Sequence, residues 1–252
     1  MVEFKEFGIV GNPIIVMIHA FCTPWELWNT YVSFLEKDYH IIIPILEGHN
    51  RDNMTSFSSV DNNAEQVINY IKKYGNEIFA IIGASLGGAV TISILSKKKL
   101  KIQRAIIDAG ITPNSYNHLH EKTIVYRDTL MTMLGRKGMK YLELKYPSKL
   151  YTMEGSSQMY NILRTISNKT IHNVYYSVDT YPMPDGMVDI DTQIEYWYGG
   201  EEEKERKISS EYVKNKFKNV NVRVFNGFSH IQMWIAAPQL YEKEMKATLA
   251  IK

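Results

Sequence analysis

The sequence predicts an α/β protein with a mostly parallel, doubly wound sheet and a helical insertion. Three observations predict it. Short isoleucine-rich runs alternate with helical patterns up to Gly110, the alternation stops over residues 112–186, and it then resumes to residue 249. Strands rich in isoleucine on both faces belong to parallel sheets covered by helices on each side.

In chain order, IIVMI (14–18) is a buried-strand pattern. A helix follows, for which Thr23-Pro24-Trp25-Glu26 supplies a cap, a first-turn proline and a capping-box glutamate. Its apolar face carries Trp28, Val32, Phe34 and Leu35. The strand YHIIIPI, a helix around Asn63–Tyr74 and the strand EIFAIIG come next. A helix from Leu86 to about Lys98 leads to the strand IQRAIID (102–108). Residues 112–186 show helical patterns without a buried strand, are rich in tyrosine and methionine, and contain neither phenylalanine nor tryptophan. They end in Tyr181-Pro182-Met183-Pro184-Asp185-Gly186, a turn-rich hinge. Most of the methionines are expected to fill the insertion's own core, and the segment as a whole to cover a site with an adaptable apolar lining. Then follow the strand QIEYWYG (193–199), a charged helix from Glu201 to about Phe217, the strand VNVRVFNG (220–227), and a helix filling most of Ile231–Leu249. With no repeats and no long linker, residues 1–252 read as a single domain with one insertion.

Bulk properties narrow the function. The chain is 45% apolar and 22% charged, with a formal net charge of +2, which gives no reason to expect nucleic acid or an anionic membrane as partner. Its one cysteine, Cys22, excludes an intrachain disulfide. The first ten residues, MVEFKEFGIV, lack the apolar core of a signal peptide, and no apolar run approaches the roughly 18 residues of a membrane span. The expected location is the cytoplasm.

The stretch IIGASLGGAV (81–90) fits two chemistries. It matches G-x-S-x-G, a serine nucleophile on a strand-to-helix turn, and nearly matches the dinucleotide-binding G-x-G-x-x-G, with Asp108 placed as a ribose ligand. Ser85 puts a side chain where that second motif needs bare backbone against pyrophosphate, and at least two strands precede the turn. No Lys-Ser or Lys-Thr follows the glycines, which excludes a P-loop. A serine nucleophile needs a histidine base and an orienting acid, following it in that fold in the order acid, then histidine. His230 stands in a loop just past VNVRVF; His19 and His49 precede the serine, His40 starts a strand, and His118, His120 and His172 lie in the insertion. The acid is one of Glu201, Glu202 and Glu203, which follow Tyr198-Gly199-Gly200, or Asp108. One oxyanion N–H belongs to Leu86 and the other to the loop His19-Ala20-Phe21-Cys22. His118-Leu119-His120-Glu121 lacks the further ligands a metal requires, so no metal is expected.

Taken together, Ile18-His19-Ala20-Phe21, Glu47-Gly48-His49, Gly83-Ala84-Ser85-Leu86-Gly87-Gly88, Tyr198-Gly199-Gly200-Glu201-Glu202 and Gly227-Phe228-Ser229-His230 resemble the α/β-hydrolase fold superfamily, specifically its small helical-capped bacterial serine hydrolases. The resemblance covers nearly the whole chain. It implies cofactor-free hydrolysis through an acyl-enzyme, with Glu202 as the acid and the Phe21 N–H as the second oxyanion donor. The chain departs from the family at Ala20 and at Asn50, where glycine is common. The expected activity is that of a carboxylesterase with Ser85, Glu202 and His230 as its triad, acting on a small ester. Two alternatives accompany it: a ligand-binding protein on the same scaffold, and hydrolysis of thioester, lactone, C–C or peptide bonds.

Overall fold

The computed structural model describes residues 1–50, 55–113, 118–145 and 152–250. Seven strands form one sheet: β1 (Glu3–Gly8), β2 (Ile14–Ile18), β3 (His40–Ile45), β4 (Glu77–Ala84), β5 (Lys101–Asp108), β6 (Gln193–Gly199) and β7 (Val220–Phe225). Their spatial order is β1-β3-β2-β4-β5-β6-β7, and every pairing is parallel except β1 with β3. The alternation of side chains along β2 feeds two layers. Ile14, Val16 and Ile18 pack into one core, and Ile15 and Met17 into the other.

The first core is closed by α2 (Val60–Ile71), α3 (Leu86–Lys97) and α8 (Glu203–Lys216). The second is closed by α1 (Asn29–Leu35) and α10 (Pro238–Leu249), through Tyr31, Leu35, Tyr241, Met245 and Leu249. Between β5 and β6 the described residues form four helices: α4 (His118–Gly135), α5 (Met139–Lys145), α6 (Met153–Thr165) and α7 (Asn168–Thr180). Helix α7 is bound to the sheet domain. Thr170 Oγ1 accepts the Phe57 N–H at 3.1 Å, Ser177 Oγ accepts the Val60 N–H at 2.6 Å, and Val174 and Val178 enter the first core.

Local differences from the sequence reading have physical reasons. Strand β1 escaped notice because EFKEFG is an antiparallel edge strand, exposed in part and without a buried apolar run. Thr23 does not cap a helix. Its hydroxyl donates to the Ala20 carbonyl at 2.9 Å, and a 3₁₀ turn begins at Trp25 with Pro24 as its uncapped boundary. The last helix is broken: α9 (Gln232–Ala236) stops at Ala237, because Pro238 has no N–H to continue it and instead starts α10.

This topology dictates where a site can form. The chain runs from β2 outward to β3, then returns to the other side of β2 as β4. The loops leaving the carboxyl ends of β2 and β4 therefore diverge, and a crevice opens between them.

Candidate active site

Ser85 occupies the single residue between β4 and α3. Its backbone lies at φ 51° and ψ −106°, a conformation costing on the order of 1–3 kcal/mol for a residue with a Cβ. Two contacts hold it there: the Ser85 N–H donates to the Asp108 carbonyl at 2.7 Å, and the Ser85 carbonyl accepts the Ala89 N–H at 3.0 Å. The turn also needs Gly87. A Cβ on that residue would stand 2.3 Å from the Ile18 carbonyl oxygen and 2.8 Å from that of His19, both backbone atoms of the β2 loop. The start of α3 and the candidate oxyanion loop are thus in direct backbone contact.

His230 Nε2 lies 2.8 Å from Ser85 Oγ, and His230 Nδ1 lies 2.7 Å from Glu202 Oε2. A carboxylate accepts only, so Nδ1 carries the proton and Nε2 presents its lone pair to the serine hydroxyl. Two neighbouring loops set this spacing. The Glu201 N–H donates to the Phe228 carbonyl at 3.1 Å, and a Cβ on Gly199 would lie 2.2 Å from that same carbonyl oxygen. Glu201 and Glu203 are exposed, while the Glu202 side chain is 12% exposed. Burial pushes the Glu202 pKa up, but His230 and the Arg206 guanidinium outweigh it and leave the carboxyl below its ordinary value. Arg206 Nε forms an ion pair with Glu202 Oε2 at 3.2 Å, and Arg206 Nη1 reaches the Ala109 carbonyl at 3.4 Å.

The rival acid behaves differently. The hydrogen bond to His230 Nδ1 goes to Glu202 rather than to Asp108, which is fully buried at the end of β5 beside Tyr241. Burial first, and the Glu202 charge second, push its pKa up to about 8. Burial and the neighbouring Glu202 charge thus both favour the neutral form of Asp108.

The loop after β2 is held by two buried imidazoles. His19 Nδ1–H donates to the Ala20 carbonyl at 2.8 Å and Nε2 accepts the Leu46 N–H at 3.1 Å. His49 Nδ1–H donates to the Glu47 carbonyl at 3.1 Å and Nε2 accepts the Cys22 N–H at 3.3 Å, where the backbone turns at φ 58°. Burial depresses both pKa values, to about 4 for His19 and, with the His19 charge added, to about 3 for His49. Each ring is neutral and has both nitrogens engaged, so the two fix the backbone on either side of Phe21. From the sequence these histidines are excluded as bases and placed in stretches that resemble the family, His19 in the oxyanion loop, but their part in holding the backbone is missed. Arg206 was also missed, although its place four residues after Glu202 is a spacing at which opposite charges meet.

Ala20, Phe21, Ser85, Leu86, His230 and Ile231 line one cavity of about 180 Å³, completed by Ile111 and by residues of α4, α6 and α7. A larger cavity of about 330 Å³ borders the same loop through His19, Thr23 and His49, but neither Ser85 nor His230 reaches it. Among the described residues no group of three or more His, Cys, Asp or Glu side chains could hold a metal ion. The side chains of His118, His120 and Glu121 lie outside the described residues. No helix among the described residues is long and apolar enough to cross a membrane.

The chain belongs to the α/β-hydrolase fold family, whose model matches residues 13–237. A solved α/β-hydrolase family protein from Desulfitobacterium hafniense superposes with a TM-score of 0.78 at 16% identity, covering 98% of this chain and 100% of that one. MenH from S. aureus gives a TM-score of 0.76 at 16% identity, with 99% and 97% covered. At such identities the likeness is one of fold. Among curated proteins, the human monoacylglycerol lipase ABHD6 is 28% identical over 83 residues, which are 31% of this chain and 25% of that one. The chain thus matches about a quarter of the length of such relatives.

Proposed function

We propose that this hydrolase-family chain is a serine esterase. Ser85 is its nucleophile, His230 its general base, Glu202 the acid that orients His230, and the Phe21 and Leu86 N–H groups its oxyanion donors. The observation that carries the reading is the continuous relay from Ser85 Oγ through His230 to Glu202, at 2.8 and 2.7 Å, on the carboxyl edge of the sheet. In this reading His230 Nε2 takes the hydroxyl proton as Oγ attacks the ester carbonyl. The Nδ1 proton stays on the ring, because the Glu202 pKa is held below the ordinary carboxylate value. Collapse of the tetrahedral intermediate expels the alcohol, which leaves with the proton from His230. Water, deprotonated by the same ring, then attacks the acyl-enzyme. A second collapse returns the proton to Ser85 and releases the acid.

In this reading residues 112–186 are the cap of a single domain; its described helices α4, α6 and α7 line the active-site cavity, which is small. Its volume of about 180 Å³ is below the ~300–1,000 Å³ usual for ligand sites, which favours a short acyl group over a long lipid chain. The single cysteine and the absence of a membrane-crossing helix among the described residues are compatible with a cytoplasmic enzyme. The test is turnover of p-nitrophenyl esters from acetate to palmitate. The expected optimum is at the short end, and Ser85→Ala should lower kcat by at least about 10⁴-fold. Undiminished turnover by that variant, or ligand binding with no turnover by the wild type, contradicts the proposal.

A further inference from the structure

We infer that Asp128 makes the cavity selective by charge, admitting neutral or cationic esters and rejecting those that carry a carboxylate close to the scissile carbonyl. The inference rests on the esterase reading of Ser85 and adds a substrate class to it. Apart from His230, Asp128 is the one ionisable carboxyl or basic side chain among the described residues that line the cavity. The remaining wall is largely apolar, including Ile111, Met159, Val174 and Val178. No lysine or arginine among the described lining residues offers a counter-charge to an anionic substrate.

The position of Asp128 follows from α4. Thr132, one turn later and hence on the same helical face, hydrogen-bonds the Tyr175 hydroxyl at 2.7 Å, and Tyr175 is itself a wall of the cavity. That face is turned toward α7 and the site. The Asp128 side chain is 24% exposed, so water screens it only in part. Asp128 Oδ1 accepts a hydrogen bond from Arg127 Nε at 3.0 Å, but the Arg127 side chain is 66% exposed and its charge is largely spent on solvent. An ester group entering the cavity therefore meets, among the described residues, a largely apolar wall and the Asp128 carboxylate, whose ion-pair partner Arg127 stays mostly in solvent. A hydroxyl or ammonium on the substrate finds an acceptor there, while a carboxylate finds repulsion and no cationic side chain among the described lining residues.

The experiment compares kcat/KM for p-nitrophenyl butyrate and p-nitrophenyl hemisuccinate, which differ by a terminal carboxylate. Wild-type protein is expected to favour the butyrate by at least about 30-fold, and the preference should shrink as salt is raised. Asp128→Asn should narrow that ratio by about tenfold. Equal efficiency on the two esters by the wild type, or a ratio unmoved by Asp128→Asn, overturns the inference while leaving the esterase reading in place. Hydrolysis of neither ester by the wild type contradicts both. The wild-type ratio needs no variant, so a folding defect in Asp128→Asn cannot conceal the outcome.

Discussion

Asp108 and Glu202 are two buried carboxyls in the same neighbourhood, and their environments push them in opposite directions. Glu202 has His230 and Arg206 beside it and is held below its ordinary pKa. Asp108 has burial and the Glu202 charge against it and is pushed up to about 8. The native state keeps a proton that the unfolded chain releases near pH 4, so the contribution of this residue is fully present below that pH. It is lost as pH rises through the window from about 4 to about 8. Asp108→Asn removes this dependence. The melting temperature of the variant relative to wild type should therefore be higher at pH 8 than at pH 5, by at least about 3 °C. A relative melting temperature equal at the two pH values would contradict a protonated Asp108. Sequence reasoning could name Asp108 as a candidate acid, since it ends a strand after the elbow. It could not see that the position is sealed, because burial at the end of β5 depends on Tyr241, far away along the chain.

At the scale of elements, the junction of α3 with the loop after β2 is tightly constrained. Gly87 lets the helix start abut the Ile18 and His19 carbonyls, and His19 and His49 lock the loop from its other side. Gly87→Ala must displace that loop, since both obstructing atoms are backbone. The expected result is a kcat lower by about 10²-fold, the size of losing one oxyanion donor, in a protein that still melts cooperatively. A kcat within about threefold of wild type would show that the loop does not hold the reacting oxygen.

The elements themselves differed in how well the sequence displayed them. The elbow was legible because Ser85 sits between an apolar strand and a helix, and the interior strands because their apolar residues cluster in short runs. Strand β1 was not legible, because pairing to β3 rather than burial makes it a strand. The capping box at Thr23 misled for a related reason: the threonine hydroxyl found the Ala20 carbonyl in the turn preceding the 3₁₀ segment. The two locked histidines act on backbone brought to them only by the fold, whereas Arg206, four residues after Glu202, was within reach of a spacing argument.

For the molecule as a whole, the strand order places the switch point between β2 and β4, and everything the proposed reaction needs converges there from separate parts of the chain. Phe21 comes from the loop after β2, Ser85 and Leu86 from the elbow after β4, Glu202 from the loop after β6, and His230 from the loop after β7. Helices α4, α6 and α7 complete the cavity, and α4 supplies Asp128, the one further charge among the described lining residues. In the proposed reaction this convergence activates one serine, Ser85, among all those in the chain. The measurement that tests it most directly is intact-protein and peptide mass spectrometry after treatment with a fluorophosphonate ester. The expected result is a single adduct, on the peptide containing Ser85, formed by wild type and lost in both Ser85→Ala and His230→Ala. Adducts on another residue, or none on wild-type protein that is folded by its melting curve, would contradict it.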